Sequence, residues 1–266
     1  MMVSLIDMPE VPMKIILEKL GYVEIQCLRK TCHSLRHFID DTKPEQSINV
    51  LEISGSPGRI SLLIYRNNDR QLYPNGQKIH IEYQELDGEN TEITWFRKDE
   101  NRRKTIPNEN FVDIFSHDFG QILKCKLPIL RHFSLDFQGI QNQLFEKLNF
   151  KEHPMKTNSL ILKNATCQED ILEVLPYTCA DTLKHLEMTF VHLGLDISKI
   201  VELEQWKKAE EVRLDGEPVL AGIQNFEHFS FVEIQMNVVY VEDMLRLKEV
   251  SRFLRPLELL AKILAM

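Results

Sequence analysis

A short apolar pattern that returns at a nearly constant interval is the strongest constraint this sequence places on its fold. The pattern apolar-x-x-apolar-x-apolar stands at Leu130/Phe133/Leu135, Leu183/Leu186/Met188 and Phe229/Val232/Ile234. Weaker copies are Thr157/Leu160/Leu162 and Ala209/Val212/Leu214. Their last positions are 135, 162, 188, 214 and 234, separated by 27, 26, 26 and 20 residues. A period of about 26 holds a strand of about 5–6 residues, a helix of about 10–12 and two loops of about 4. Helical spacings fill the gaps: Leu144 and Leu148 in one, Ile171, Leu172 and Leu175 in the next. Ile197, Ile200, Val201 and Leu203 occupy the third, just before Trp206. Units of this size hide their apolar edges only by stacking, which predicts a parallel sheet lined by helices.

The interval lies within the leucine-rich-repeat range of roughly 20–29 residues. The Asn or Cys expected three residues past the last strand position is replaced by Gln138, Ala165, Val191 and Glu217, and Asn237 alone fits. The expected fold class is therefore mixed α/β: an irregular leucine-rich-repeat-like domain over 105–266 with a mainly parallel sheet. Ahead of it, a helix is predicted from about residue 111, where Val112, Phe115, Phe119, Ile122 and Leu123 keep helical spacing.

Residues 46–104 alternate instead. Ile48, Val50 and Ile53 read as one strand, Ile60, Leu62 and Ile64 as a second, and Ile79, Ile81 and Tyr83 as a third. Ile93 and Trp95 mark a fourth, with Asn75-Gly76 and Asp87-Gly88 as turns. The segment is expected to be a strand-rich piece packed on the C-terminal domain. RKDENRRK (97–104) is the one basic cluster. It has no interleaved aromatic residue, so a solvated loop is expected there.

The first 45 residues are helical in pattern. Pro9 and Pro12 punctuate the start, and Met13, Ile16, Leu17 and Leu20 then form one stripe, with Gly21 as a left-handed stop. Glu24–Cys32 suits a second helix. Ser34 is the expected N-cap of a third, which carries Leu35, Phe38 and Ile39 and ends before Lys43-Pro44. Met8, Val11, Ile15 and Cys27 fall off the main stripes. So small a unit cannot hide them all, and either a partner or the rest of the chain must cover them.

The run LIDMPEVPMKIILEKLGYVEIQCLRKTCHSLRHFID resembles the F-box. Met8-Pro9 stands where that family has Leu-Pro, followed by the acidic and apolar pair Glu10-Val11. Ile16-Leu17 with Leu20 match its first helix, Leu28-Arg29 its second, and Cys32, Leu35 and Ile39 its last. Met8 for Leu is a volume-conserving departure. The resemblance implies a three-helix F-box over 1–45 that docks onto a Skp-like adaptor and through it a cullin. It implies that Met8, Pro9, Val11, Met13, Ile16, Leu17, Leu20 and Leu28 line the Skp-facing surface. Ile25, Cys32, Leu35 and Phe38 are divided between that surface and the internal core. LEQWKKAEEVRL (203–214), the later EHFSF and VEDMLRLKEVSRFL are similar to the FTH domain, which follows the F-box in an expanded family of nematode proteins. That resemblance implies capture of a client protein without naming the residues that do it.

Catalytic readings have little support. HSLRH lacks the Glu of a zinc-protease HExxH, no nucleophile or phosphate-loop motif is present, and Pro57 removes an amide from the turn Gly55–Gly58. Cys27 and Trp206 read as packing residues. No metal, cofactor or catalytic residue is expected, and the chain is expected not to be an enzyme. A formal charge of −8 argues against nucleic acid or anionic membrane as partners. No apolar run reaches the roughly 18–20 residues that span a bilayer. Five cysteines without a CxxC suit a reducing compartment, cytoplasmic or nuclear. The function expected is a non-catalytic substrate-recognition adaptor of a Skp–cullin–F-box ubiquitin ligase. The alternative is a Skp-independent interaction or regulatory protein, for instance in RNA-associated complexes.

Overall fold

The computed structural model describes residues 7–45, 48–66, 78–87, 90–96, 101–138, 144, 147, 148, 150, 154–191, 195–216, 218–235 and 258–259. Three short helices open the chain: α1 (Glu10–Lys19), α2 (Tyr22–Arg29) and α3 (His33–Thr42). Pro12 lies in the first turn of α1, where its missing N–H costs no hydrogen bond. Gly21 is not the left-handed stop expected. Leu20 turns extended instead, and Gly21, at φ −94°, starts α2 two residues earlier than the spacing predicts. Likewise Cys32, not Ser34, is the N-cap of α3. Lys43, barred from the α region by Pro44, adopts φ +42° and ends the unit.

An antiparallel meander follows: β1 (Ile48–Ser56), β2 (Arg59–Arg66), β3 (Lys78–Leu86), β4 (Asn90–Phe96) and β5 (Arg102–Ile106). The turn between β1 and β2 needs a positive φ, and Gly58 supplies it at +70°. Basic residues 102–104 are not in a solvated loop. They belong to β5, whose register sets Trp95 beside Arg102 and Thr94 beside Arg103. Residues 97–100, the turn at Asn75-Gly76 and Gly88 lie outside the described residues. The helix predicted from 111 is α4 (Phe111–Leu123), begun by Asn110, whose side chain accepts from the Val112 N–H.

The repeat strands are β6 (His132–Asp136), β7 (Ser159–Ala165) and, after the short helix α5 (Gln168–Leu172), β8 (His185–Phe190). Next come β9 (Leu195–Asp196), helix α6 (Glu204–Lys208), β10 (Glu211–Asp215) and β11 (Val219–Leu220). β12 (Phe231–Glu233) and β13 (Glu258–Leu259) complete the set. The repeat phase read from the sequence is the register of the sheet. Phe133, Leu160, Leu186 and Val212 stand side by side, continuing to Val232, and Leu135, Leu162, Met188 and Leu214 form the next row. All nine are buried, and each such side chain contributes about 1.5–3 kcal/mol. Thr157 fits its weak copy because its buried hydroxyl donates to the Ser159 carbonyl at 2.8 Å.

Two features differ from expectation. Among the described residues, the connections after β7 hold short turns, α5, α6 and the 3₁₀ turns Leu175–Tyr177 and Ile223–Phe226, rather than helices of ten residues, while residues 144, 147 and 148 between β6 and β7 are helical. The meander is also continuous with the repeat sheet, because β1 pairs with β6 in parallel. Among the described residues the result is a mixed eleven-stranded sheet in the order β13-β12-β10-β8-β7-β6-β1-β2-β3-β4-β5. One core underlies it, with α4 packed on the meander. There Tyr83 meets Phe115 edge-on, and its hydroxyl donates to Asp118 at 2.9 Å. Burial, with the Asp118 carboxylate beside it, holds the Tyr83 phenol above the usual tyrosine range. The missing asparagine ladder has a substitute one residue earlier. Asn164, at φ +58°, donates to Asp136 at 2.8 Å, and its N–H donates to the Thr189 hydroxyl at 2.9 Å.

Candidate functional site

The N-terminal helices close over a core of their own. Leu17, Ile25 and Ile39 are 1%, 1% and 4% exposed, with Leu20, Leu28 and Phe38 packed around them. Arg29 ties α2 to α3 by pairing with Asp40 at 2.9 Å, and Arg36 returns a hydrogen bond to the Arg29 carbonyl at 3.1 Å. A unit this short spends its best apolar stripe on itself, so what remains outside is informative.

What remains outside is the set that fell off the stripes. Met8, Val11 and Ile15 are 36%, 67% and 49% exposed, and Cys27 is exposed as well. Val11 and Ile15 are one helical turn apart on α1, so they share a face, with Met8 leading into it. Pro9 and Pro12 are exposed beside them. The remainder of the described chain does not cover this face.

The eight residues implied by resemblance therefore divide three ways. Met8, Pro9 and Val11 are exposed, and Ile16, Leu20 and Leu28 are half-buried. Met13 and Leu17 are buried within the chain, at 5% and 1% exposure. Ile15, absent from that set, is on the exposed face. Its signal was already in the sequence, because it is apolar where the stripe leaves no room for it. Of the four residues left divided, Ile25 and Leu35 are buried and Cys32 and Phe38 are intermediate.

Among the described residues of the repeat domain, no second surface declares itself through chemistry. Trp206 is 1% exposed; its indole N–H donates to the Asn225 carbonyl at 3.0 Å, and Phe226 and Phe229 meet it edge-on. Gln205 donates to the Pro176 and Thr178 carbonyls at 3.0 and 2.8 Å, stitching neighbouring repeats. These are packing roles. His33 and His37 lie 6.0 Å apart between ring centroids, and among the described residues no group of three potential ligands gathers to hold a metal. Nor is any described helix long and apolar enough to cross a membrane.

Two family models match the chain: the F-box domain over residues 5–46 and the FTH domain over residues 140–256. Neither a curated protein nor a solved structure matches it. The F-box match contains the exposed face of α1. The FTH match contains β7 through β12, while β1–β6 and α4 lie between the two matched regions.

Proposed function

We propose that this chain, an F-box domain joined to an FTH domain, is a substrate-recognition adaptor of a Skp–cullin–F-box ubiquitin ligase. F-box domains typically bind a Skp subunit and so reach a cullin, and both domains are typically non-catalytic interaction modules. Ubiquitin transfer then belongs to other subunits. This chain contributes proximity, raising the effective concentration of a client at the transfer centre. The client itself is bound by the remainder of the chain.

One observation carries the reading: Met8, Val11 and Ile15 stay exposed on a unit that has already closed its own core. Covering a contiguous apolar face of this kind is what a protein partner does. Met8, Pro9, Val11 and Ile15 are its centre, with Ile16, Leu20 and Leu28 beneath or beside it.

The test is co-purification with a Skp-like adaptor. Val11→Glu combined with Ile15→Glu places two charges on the face without touching the core. Desolvating them on docking costs several kcal/mol, about 10²-fold or more in affinity. Loss of adaptor from a folded double variant is the expected result. Unchanged recovery sinks the reading and favours a Skp-independent interaction protein. Leu17→Glu is unsuitable, since it buries a charge inside the unit and unfolds it.

A further inference from the structure

Where α2 passes the meander, a cleft of about 1090 Å³ opens between the F-box helices, α4 and strands β2 to β5. That is at or beyond the upper end of ordinary small-molecule pockets. Its floor is apolar: Ile79, Ile81 and Trp95, all half-buried, belong to the sheet face that α4 covers only in part. Its rim is basic. Lys30 and Arg36 come from the helices, and Lys78, Arg102 and Arg103 from the sheet. None of these five has an ion-pair partner among the described residues. Among the described residues, the carboxylates of the lining are Glu24 and Asp118, and Asp118 already accepts from Tyr83.

We propose that this cleft binds an extended acidic segment of a client protein, one that carries apolar side chains between its carboxylates. The proposal rests on reading the chain as an adaptor and names the class of client. Charge complementarity is the main argument. Cations from the helices and from the sheet line the same cleft, in a chain whose formal charge is −8. A basic edge strand by itself is a common guard against aggregation. That accounts for Arg102 and Arg103 but not for Lys30 and Arg36, which face the same space from the F-box side.

The edge geometry argues for an extended chain. β5 ends the sheet, and four of its five residues are exposed, so its outer N–H and C=O groups can receive another strand. A nucleic acid fits less well, because several of the lining rings are already engaged. Tyr83 lies against Phe115, and His80 stacks on Phe96 with ring centroids 4.2 Å apart. Half-buried Trp95 offers ring surface, but successive bases need a series of such rings along the groove.

Fluorescence anisotropy on the full chain tests this with three probes. They are a labelled peptide alternating Glu with Leu, its counterpart with Gln in place of Glu, and a single-stranded oligouridine. The acidic peptide is expected to bind at least about tenfold tighter than the neutral one, with affinity falling as salt rises. Arg102→Glu with Arg103→Glu weakens it about tenfold or more, as does Lys30→Glu from the opposite wall. Lys163→Glu, on β7 away from the cleft, leaves it unchanged. Equal binding of the acidic and neutral peptides overturns the proposal. So does indifference to both wall variants, or tighter binding of oligouridine than of the acidic peptide. Adaptor recovery is measured on the same preparations, and Arg102→Glu/Arg103→Glu leaves it intact. Failure of adaptor binding and failure of peptide binding are therefore separate results.

Discussion

Leu51 on β1 stands in parallel register beside Phe133 on β6, although the whole meander and α4 lie between them in sequence. Ile53 pairs likewise with Leu135, and Ile48 completes the same apolar-x-x-apolar-x-apolar pattern. β1 is thus one more copy of the repeat strand, parted from the others by four antiparallel strands and a helix. It couples the two halves of the sheet, being antiparallel to β2 on one side and parallel to β6 on the other.

Leu51→Ala consequently weakens both halves at once. A buried Leu→Ala change costs about 2–5 kcal/mol. Urea unfolding followed by far-UV circular dichroism and by tryptophan fluorescence is expected to show one shared transition at lower denaturant. Trp95 reports on the meander and Trp206 on the repeats. Separate transitions would show that β1 does not couple them.

Leu17→Ala acts elsewhere. Its contacts are with Ile25 and Ile39, in a core separate from that of the sheet. The loss, again about 2–5 kcal/mol, falls on the three helices. Amide hydrogen exchange is expected to accelerate in residues 10–42 and to stay slow in β6 to β8.

His80 gives the sheet a pH dependence. Its ring lies 2.7 Å from the Ser61 hydroxyl and stacks on Phe96, and burial, with Lys78 nearby, lowers its pKa below the ordinary 6.5 despite the opposing pull of Glu82. The folded protein therefore binds this proton less readily than the unfolded chain. Stability is full above about pH 6.5 and is lost as pH falls through that value toward the depressed folded pKa. Thermal melts at pH 7.5 and 5.5 should differ less for His80→Gln than for the parent. An equal or larger difference in the variant contradicts the assignment.

Gly216 follows β10 at φ +112°, and a Cβ there would stand 2.6 Å from the Phe190 carbonyl oxygen at the end of β8. Gly216→Ala must move one backbone segment or the other, at a cost of about 1–3 kcal/mol. A lower urea midpoint is expected, whereas Gly120→Ala, with open space around its Cβ, leaves the midpoint unchanged or raises it.

Much of the repeat domain was legible because its signal is local and phased. Once Leu135, Leu162, Met188 and Leu214 are seen to be equivalent, stacking them is the only way to hide them all. β1 escaped for the opposite reason. Its pattern is intact, but its distance from β6 is set by an inserted meander and not by the period. Ten-residue helices were expected where α5 and α6 are single turns, because the interval fixes the length of a connection and not how the chain fills it. On the N-terminal helices, the excess of apolar residues was legible, and so was its implication of a cover. Which of them needed the cover was not.

The sequence by itself determined the phase of the sheet, the position of three N-terminal helices and the surplus of apolar residues they carry. Only the tertiary structure decided that Leu17 and Met13 are interior while Val11 and Ile15 are outside, that β1 joins β6, and that two basic walls meet across a cleft. The physical reason is common to all three. Periodicity states which residues of one element share a face, but what that face meets depends on elements distant in sequence. Around α1, where apolar residues occupy more than one side, only packing against Ile25 and Ile39 chooses the side that becomes core.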